Sequence, residues 1–324
     1  MHRGTAVTVT YNDAEYMRIC VEHLCSQTYP LHKVIIVDNN SNEANKAIIG
    51  EIKAKYQNAI EVLELKENLG GAGGFESGMR YAKEQYDPDW YWIMDADAYP
   101  ESDCLEKLLD HCNDKENIGY LAPLIYGVDL KAYQLYHHKR ATRYLERDIP
   151  LYSDYSEIPV VSEIICDAFV GPLFSKNAVD LLGFPDGGLF IYGDDMEYTY
   201  RVTRKFSALL IKDAVINHRD QPASNGVQQP KNWWKDYYMY RNRLLFIYKY
   251  QDSKFKAGIG FLLVWLRIFK QNIICLRTIK NAELKTMRTN LLRSSYKDGI
   301  KRISGKTINP KDFIEKINKA LKGT

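Results

Sequence analysis

Two aspartates spaced by one residue stand directly after a strongly apolar run of the sequence. The run "WYWIM" occupies residues 90–94, and Asp95 and Asp97 follow it in the stretch "MDADAYP". If the run is a β-strand, side chains two residues apart point to the same side, so both carboxylates face one space. Two such oxygen donors suit Mg²⁺ or Mn²⁺. A turn that leads into a helix explains the same residues, and both interpretations stay open here.

A second acidic pair occurs in "YGDDMEYTYR", residues 192–201, where Asp194 and Asp195 open a predicted helix. Carboxylates at a helix N-terminus cap the helix and interact favourably with its dipole, and one of the two is enough for that. The other can act as a general base that projects into a cleft. His218 ends a predicted strand, "AVINH", and is either a structural histidine or a metal ligand beside Asp97.

Five glycines crowd the segment "ENLGGAGGFESG", residues 67–78, between a predicted strand and a predicted helix. Glycine lets the backbone approach a ligand closely, and a helix N-terminus attracts anions. The spacing matches neither the dinucleotide-binding G-x-G-x-x-G nor a P-loop, which needs G-K-[ST]. The segment is therefore either an anion-binding loop or a tight connection between a strand and a helix.

Alternating strand and helix patterns supply the frame for these residues. Strands are predicted at residues 5–10, 33–38, 60–65 and 90–95, and helices at 13–27, at 43–56 and from the glycine-rich segment to about 86. Such alternation predicts a parallel sheet with helices on both faces, in which ligands bind beyond the carboxyl ends of the strands. Three polar stretches fall at such ends: "TYND" (10–13), "DNNS" (38–41) and "DADA" (95–98).

The rest of the chain follows other patterns. Residues 127–160 are polar and rich in tyrosine and are expected to form an excursion. Further elements are predicted as strands at 162–171 and 207–218, helices at 175–182 and 194–205, and a loop at 219–230. From residue 232 the pattern is helical to the end, apart from 304–310. We therefore expect an α/β domain over 1–230, with halves at about 1–125 and 126–230, and a helical basic region over 231–324.

Charge is distributed unevenly along the chain. Residues 231–324 contain 22 Lys and Arg against six Asp and Glu, whereas residues 1–230 contain 22 against 35. The basic C-terminal region indicates an anionic partner, and the lack of a nucleic-acid recognition motif favours a membrane surface over nucleic acid. Residues 253–303 alternate apolar runs with basic residues, as an amphipathic helix on an anionic membrane does. A helical subdomain packed on protein or forming an oligomer explains this pattern equally.

The cysteine content and the apolar runs of the sequence indicate the cellular compartment of the protein. The six cysteines form no C-x-x-C pair, so we expect reduced thiols of a cytosolic protein and neither disulfides nor a zinc site. The sequence starts with a strand pattern and not with a signal peptide. The longest apolar run, residues 257–266, has about half the length that a membrane span needs.

Taken in order, these motifs resemble glycosyltransferase family 2, in particular its galactofuranosyltransferase-like and rhamnosyltransferase-like branch. The stretches that carry the resemblance are "VTVTYND" (7–13), "VIIVDNNS" (34–41), "ENLGGAGGFESGMRYA" (67–82), "WYWIMDADAYP" (90–100), "GLFIYGDDMEYTYR" (188–201), "INH" (216–218) and "WWKDYYMYRN" (233–242). The resemblance implies an α/β GT-A fold, Rossmann-like with a mostly parallel central sheet and helices on both faces, followed by the helical basic region. It also implies a metal-dependent, inverting hexosyltransferase that moves a sugar from UDP-galactofuranose or dTDP-rhamnose to a hydroxyl of a growing, lipid-linked bacterial cell-surface glycan.

The same resemblance implies roles for single residues. Asp195 would be the general base, supported by Asp194. Asp97 and His218, together with Asp95, would bind Mn²⁺ or Mg²⁺. The residues expected at the nucleotide-sugar are Thr10, Tyr11, Asn12, Asp38, Asn68, Gly70, Gly71, Gly74 and Asp95. Those expected near the acceptor are Trp233, Trp234, Tyr238 and Arg241.

Some features of the function stay open at this stage. Ala96 departs from the three consecutive aspartates frequent in galactofuranosyltransferases, which leaves UDP-galactose and UDP-glucose as further donors. A nucleotide-sugar-binding or scaffold protein without turnover is an alternative. A sugar nucleotidyltransferase is another, although that class needs a glycine-rich basic loop where this chain has "YNDAEY" (11–16). We expect a cytoplasmic protein, peripheral on the inner face of the cell membrane, that binds no nucleic acid, with homo-oligomer formation left open.

Overall fold

The computed structural model describes residues 2–129, 131–219 and 229–322, so most of the predicted loop at 219–230 lies outside the described residues. The strands are β1 (Gly4–Thr10), β2 (Lys33–Asp38), β3 (Ile60–Glu64), β4 (Trp90–Asp95), β5 (Ala98–Pro100), β6 (Ile118–Gly127), β7 (Ala132–Tyr133), β8 (Lys139–Ala141), β9 (Asp148–Pro150), β10 (Val161–Glu163), β11 (Val170–Ser175) and β12 (Ser207–His218). The α-helices are α1 (Ala14–Cys25), α2 (Glu43–Tyr56), α3 (Gly70–Tyr86), α4 (Cys104–Asp110), α5 (Lys176–Leu182), α6 (Asp194–Thr203), α7 (Trp233–Tyr250), α8 (Lys254–Thr278), α9 (Ala282–Ile300) and α10 (Pro310–Lys322).

One mixed sheet forms the centre of the fold. Its main strands follow the order β10-β12-β6-β11-β4-β1-β2-β3, with β5 paired to β12 and β7 to β6. The strands β4, β1, β2 and β3 are parallel, and so are β12 and β6. Only β11 among these central strands runs antiparallel, between β6 and β4. The predicted α/β class, with a mostly parallel sheet and C-terminal helices, is confirmed.

Alternate residues of the central strands face opposite layers of helices. Ala6, Ile36 and Trp92 belong to the core built with α1, α2 and α4. Val7 and Ile93 belong to the core built with α3, α5 and α6. Burial of one such side chain contributes about 1.5–3 kcal/mol, so a strand shifted by one residue would lose many of these contributions. The two cores therefore fix which residue ends each strand.

The register brings several strand ends to one edge of the sheet. Thr10 at the end of β1 pairs with Asp38 at the end of β2, and the residue before Thr10 pairs with Asp95 at the end of β4. The short strand β5 turns back and pairs with the end of β12, where Ala98 lies opposite His218. The polar residues that the sequence placed at strand ends therefore gather along this edge.

Glycines of α3 allow that helix to pack closely on the sheet. The helix begins at Gly70, so the predicted glycine-rich loop is in large part the first turns of the helix. A Cβ atom at Gly74 would lie 2.5 Å from Val9 Cγ1, and one at Gly78 would lie 2.4 Å from Val7 Cγ1. These glycines are therefore required by helix–sheet packing.

Gly78→Ala is expected to lower the free energy of unfolding by about 1–3 kcal/mol, because the added methyl group overpacks a rigid strand. Urea unfolding measures this change. The matched control is Gly50→Ala in α2, where no atom lies within 4 Å of the new Cβ. This control should be neutral or stabilising by up to about 1 kcal/mol. Equal stability of the two variants would contradict the close packing of α3.

Some elements differ from the predicted ones. The predicted strand at 162–171 is two strands, β10 and β11, on different neighbours. The strands β5 and β6 were not predicted, whereas α4 is the helix that the turn interpretation of Asp95 and Asp97 expected to follow them. β6 is ten residues long and lies between β12 and β11. Nine of its residues are buried, so it lacks the alternation that marks a strand with one exposed face.

Two compact units divide the chain. The first comprises Met1–Arg140, Pro150–Gly187 and Asp194–Gln221, and the second comprises Ala141–Ile149, Gly188–Gly193 and Pro222–Thr324. The second unit contains α7 to α10, and its core includes Phe190, Trp233, Tyr237, Tyr238, Leu284, Leu291, Phe313 and Ile317. The predicted domain boundary at residue 230 stays a prediction.

Candidate active site

Asp95, Asp97 and His218 form a cluster whose ligand atoms all lie within 4.8 Å of one another. His218 Nε2 is 3.4 Å from Asp97 Oδ1. The backbone supports this arrangement, because the Arg219 N–H donates to the Asp97 carbonyl at 3.3 Å, next to the β5–β12 pairing. Two carboxylates and one imidazole are suitable ligands for a divalent ion such as Mn²⁺ or Mg²⁺.

The Asp97 side chain is held in its charged form. Burial raises the pKa of this carboxyl, but the hydrogen bond and charge of His218, a backbone hydrogen bond and the charge of Arg219 together lower it by more, so the pKa lies below its usual range. A carboxylate that stays ionised in a partly buried position meets the first requirement of a metal ligand.

Gln134 orients His218 from the side away from Asp97. Its Oε1 accepts hydrogen bonds from His218 Nδ1 at 2.9 Å and from His137 Nε2 at 3.0 Å. Because an amide oxygen only accepts, the proton of a neutral His218 ring lies on Nδ1 and the Nε2 lone pair faces Asp97. Without a metal, a second ring proton on Nε2 lies between the two acceptors, and this charged ring lowers the Asp97 pKa as described above. A divalent cation can take the place of that proton. The residues therefore fit a metal ion.

His137 stays neutral beside this cluster. Burial, and then the charges of Lys139, His218 and His138, lower its pKa to about 2. Its ring centroid is 5.5 Å from that of His218 in an edge-on arrangement. His137 thus adds a hydrogen bond to Gln134 without adding charge.

The segment from Gln134 to Lys139 contacts a second part of the site. His138 Nδ1 is 3.0 Å from Asp167 Oδ1, and both side chains are fully buried. The Thr199 hydroxyl accepts from the Asp167 N–H at 3.1 Å and donates to the Asp195 carbonyl at 2.7 Å, which links α6 to the segment between β10 and β11. The polar excursion predicted at 127–160 therefore supplies contacts to both acidic motifs.

The two carboxyl groups that open α6 differ in environment. Asp194 is buried, and burial together with the charges of Asp195 and Asp95 raises its pKa to about 8. Asp194 therefore holds its proton at neutral pH. Asp195 Oδ1 accepts from the Met196 N–H at 2.7 Å, and its Oδ2 lies 3.8 Å from Lys139 Nζ. The structure thus brings the first and second acidic motifs within electrostatic range.

Asp194→Asn is expected to reduce the pH dependence of stability. The folded chain keeps the Asp194 proton up to about pH 8, whereas the unfolded chain loses it near pH 4. Stability of the wild type therefore falls as pH rises through this window, by at most about 1.4 kcal/mol per pH unit. The uncharged asparagine removes this loss. Urea unfolding in EDTA should show a variant-minus-wild-type difference that grows with pH.

The control for this measurement is Asp110→Asn, which changes an exposed carboxyl at the end of α4. Its difference from the wild type should stay flat over the same range of pH. A flat difference for Asp194→Asn as well would show that Asp194 is ionised at neutral pH and would contradict its proton assignment.

The loop after β1 is fixed by hydrogen bonds to the loop after β2. Asn12 has a left-handed φ of 63°. Its N–H donates to Ser41 Oγ at 3.0 Å, and its Oδ1 accepts from the Asn42 N–H at 2.8 Å. Thr10 Oγ1 is buried and has no hydrogen-bond partner within the described parts of the chain. Tyr11 between them is partly exposed at this edge of the sheet.

The end of β2 is linked to the start of α3. Asp38 is 1% exposed, and its Oδ1 accepts from the Ser41 N–H at 2.9 Å. Asn39 donates to the Gly70 carbonyl and accepts from the Leu69 N–H, at 2.9 and 2.8 Å. Asn68 Oδ1 accepts from the Gly70 N–H at 2.8 Å. Asp38, Asn68, Gly70, Gly71 and Gly74 thus share one region, in which Asn39 is a link that the sequence did not single out.

The residues predicted near an acceptor lie on α7, in the second unit. Trp233, Tyr238 and Arg241 are at most 1% exposed. The Arg241 guanidinium donates to the carbonyls of Gly188, Leu189 and Gly305 and to Thr307 Oγ1. These three side chains hold the core of that unit, which argues against direct acceptor contact. Trp234 is partly exposed, and its acceptor role stays a prediction.

Comparison with known proteins identifies the family. Residues 5–166, half of the chain, match the sequence profile described as Glycosyl transferase family 2. The chain is similar to galactofuranosyltransferase GlfT1 of Mycobacterium tuberculosis, with 28% identity over 251 residues that cover 74% of this chain and 80% of that protein. The predicted family resemblance is thereby confirmed.

Solved structures show the same fold. S. aureus TarS 1-349 in complex with UDP aligns over 92% of this chain and 81% of that chain, with a TM-score of 0.58 and 14% identity. GalNAc-T7 with UDP, GalNAc and Mn²⁺ aligns over 94% of this chain and 56% of that chain, with a TM-score of 0.61 and 15% identity. Both are GT-A glycosyltransferases, so the predicted GT-A fold is confirmed.

Proposed function

The chain belongs to glycosyltransferase family 2, and from this premise we propose that it is a metal-dependent, inverting hexosyltransferase. Its donor is a nucleotide-diphospho-sugar, with UDP-galactofuranose or dTDP-rhamnose favoured, and its acceptor is a hydroxyl of a growing, lipid-linked cell-surface glycan. The observation that carries the proposal is the convergence of Asp95, Asp97 and His218 to within 4.8 Å at the strand ends. The galactofuranosyltransferase activity named for the mycobacterial relative supports the choice of sugar.

In this proposal Asp97 and His218 hold the divalent ion, with Asp95 as a further ligand. The ionised Asp97 and the Nε2 atom of His218 directed at it support this assignment. The Mn²⁺ in the GalNAc-T7 structure supports an ion of the same kind. When bound, such an ion supplies Lewis-acid stabilisation of the negative charge on the departing diphosphate.

We assign Gln134 as the residue that positions His218 for the metal. Gln134→Leu removes the acceptor of the His218 Nδ1–H, so the ring is free to rotate and to change tautomer. We expect Mn²⁺ affinity to fall by about 10–100-fold, a range typical of residues that orient metal ligands. Isothermal titration with Mn²⁺ measures this without substrate.

Imidazole nitrogen chemical shifts of the protein saturated with diamagnetic Mg²⁺ provide a second readout for Gln134. They should show His218 protonated on Nδ1 in the wild type and a mixture of tautomers in the variant. A variant that has lost Mn²⁺ affinity but keeps one His218 tautomer would assign Gln134 a merely structural role.

Asp195 is the general base, and Asp194 is its neutral neighbour. Asp195 takes the proton of the acceptor hydroxyl, and the acceptor oxygen attacks the anomeric carbon from the face opposite the diphosphate. The bond between that carbon and the diphosphate oxygen breaks, and the electron pair leaves with the diphosphate. This single displacement inverts the anomeric configuration. The proton on Asp194 at neutral pH supports the choice of Asp195, because a protonated carboxyl does not accept a proton.

The nucleotide-sugar lies along the strand ends in this proposal. Its site comprises Thr10, Tyr11, Asn12, Asp38, Asn68, Gly70, Gly71, Gly74 and Asp95. The Thr10 hydroxyl, which has no partner among the described residues, and the start of α3 at Gly70 support it, because a helix N-terminus favours the negative charge of a diphosphate. The lipid-linked acceptor implies a cytoplasmic enzyme that works at the inner face of the cell membrane.

A panel of nucleotide-sugars tests the proposal. Thermal shift and donor hydrolysis are measured for UDP-galactofuranose, dTDP-rhamnose, UDP-galactose and UDP-glucose, each with Mn²⁺, with Mg²⁺ and with EDTA. We expect one donor to raise the unfolding temperature only when metal is present and to be hydrolysed slowly. Binding without hydrolysis or transfer would favour a nucleotide-sugar-binding scaffold, and no metal-dependent shift with any donor would overturn the proposal.

A further inference from the structure

The outer side of α8 carries large apolar side chains that remain exposed. Leu262, Trp265, Leu266 and Phe269 are 43–53% exposed, and Phe255 is 78% exposed. Spacings of three, four and seven residues place them on one side of the helix. The rings of Trp265 and Phe269 stack with their centroids 5.4 Å apart. We call these five residues the outer stripe of α8.

The opposite side of α8 packs against protein. Gly260, Val264, Ile268 and Cys275 are buried, and the helix contacts α7 and α9. A Cβ atom at Gly260 would lie 2.5 Å from the Tyr144 carbonyl oxygen, so the backbones approach closely there.

This packing decides between a helix that crosses a bilayer and one that lies on it. By length and composition alone the 25-residue helix is long and apolar enough to span a membrane. The ten-residue apolar run at 257–266 is therefore only the central part of a longer apolar helix. A span would, however, separate α8 from α7 and α9. Its packing favours a helix that lies along a surface.

Charge identifies the kind of surface. The helix contains no Asp or Glu, and its basic residues are Lys254, Lys256, Arg267, Lys270 and Arg277. On the helical circumference Lys270 and Arg277 lie beside the outer stripe. An apolar stripe bordered by cations complements anionic headgroups above acyl chains. A dimer that pairs α8 with α8 of a second copy is disfavoured, because the second α8 carries the same cations and no acidic residue to pair with them.

We propose that the outer stripe of α8 binds an anionic lipid bilayer, with the helix lying in the plane of the headgroups. Only the purpose of this membrane binding rests on the proposed function, since a glycosyltransferase with a lipid-linked acceptor would find that acceptor at a membrane. The stripe supplies the apolar insertion, and Lys270 and Arg277 supply the selectivity for anionic lipid.

Flotation of the full chain with phosphatidylcholine vesicles, with and without phosphatidylglycerol, tests this. We expect binding that requires the anionic lipid and weakens in high salt. Trp265→Ser/Phe269→Ser and, separately, Lys270→Glu/Arg277→Glu should each weaken it by about tenfold or more. The matched control is Val160→Ser/Leu181→Ser, which changes two apolar residues that are 60% and 66% exposed elsewhere. Circular dichroism and unfolding temperature verify that all variants fold.

Several outcomes would overturn the proposal. These are a wild type that does not float with anionic vesicles, and stripe variants that float as well as the wild type. Variants that change the oligomeric state in light scattering while vesicle binding is unchanged would assign the stripe to a second copy of the chain. Donor-induced thermal shift without vesicles separates the two proposals. Flotation of a wild type that binds no donor would contradict the proposed function and support the membrane surface.

Discussion

Replacing Asp195 with asparagine is expected to reduce sugar transfer by about 10²–10⁴-fold, the usual contribution of a general base. The asparagine side chain keeps the size of aspartate and an oxygen that accepts the Met196 N–H, so α6 should begin as before. The amide does not take a proton from the acceptor hydroxyl. Initial rates of transfer at saturating donor measure the loss, and the metal-dependent thermal shift with donor should stay close to that of the wild type.

Asp194→Asn is the matched control for this experiment. Asp194 carries its proton at neutral pH, so an uncharged amide replaces an uncharged carboxyl. We expect transfer to fall by less than about tenfold, or about 1.4 kcal/mol of the barrier. Near-normal turnover of Asp195→Asn would show that the assignment of the base is wrong. A large loss in Asp194→Asn with little loss in Asp195→Asn would move the role to Asp194.

Much of the frame could be predicted because its signals are local. The strands Lys33–Asp38 and Trp90–Asp95 and the helix Glu43–Tyr56 have the predicted bounds. Each is an apolar or amphipathic run that ends at turn-forming residues, so neighbouring residues alone determine it. Residues at the ends of parallel strands then share an edge whatever the remaining topology is. This is why Asp95 and Asp97 could be placed at a binding edge.

Elements whose signals depend on distant partners could not be predicted. β6 contains Gly119 and Pro123 and is buried on both faces, so neither propensity nor alternation marks it. Its stability comes from pairing with β12 and β11. The three-residue β5 is likewise defined by its partner β12, and it is β5 that brings His218 opposite the residue next to Asp97. The sequence motifs alone do not determine the approach of Asp97 and His218, because that approach depends on the pairing of β5 with β12.

The contacts around the cluster show the same limit. Gln134 and His218 are 84 residues apart in sequence, and nothing near Gln134 indicates which histidine it holds. A signal was present in "QLYHHKR" (134–140), where two histidines and two cations follow a glutamine within a tyrosine-rich stretch. The acceptor role predicted for residues of α7 stays a prediction, and the sequence is ambiguous there for a different reason. Aromatic and arginine side chains suit both a core and a binding surface, and only burial distinguishes the two.

Asp97→Asn is expected to remove metal-dependent transfer almost completely. The substitution keeps the size of the side chain and removes the charge that the His218 contact stabilises. Metal stabilisation of a transition state contributes several kcal/mol, which corresponds to a loss of about 10³-fold or more. Mn²⁺ affinity should fall by more than about 100-fold, since the change affects a ligand itself and not a residue that orients one. Excess EDTA on the wild type should reproduce the loss of transfer.

The matched control for Asp97→Asn is Asp213→Asn, an exposed carboxyl on the same strand as His218. It removes the same charge from the chain and should leave both Mn²⁺ affinity and transfer unchanged. Mn²⁺ affinity and the rate of transfer together show why Asp97→Asn loses activity. If Asp97→Asn lost transfer but kept Mn²⁺ affinity, the aspartate would orient the donor and the ion would lie elsewhere. If transfer persisted in Asp97→Asn with excess EDTA, the reaction would not use a metal. Asp95 and Asp97 would then be residues of an ordinary turn after β4, the alternative that the sequence also allowed.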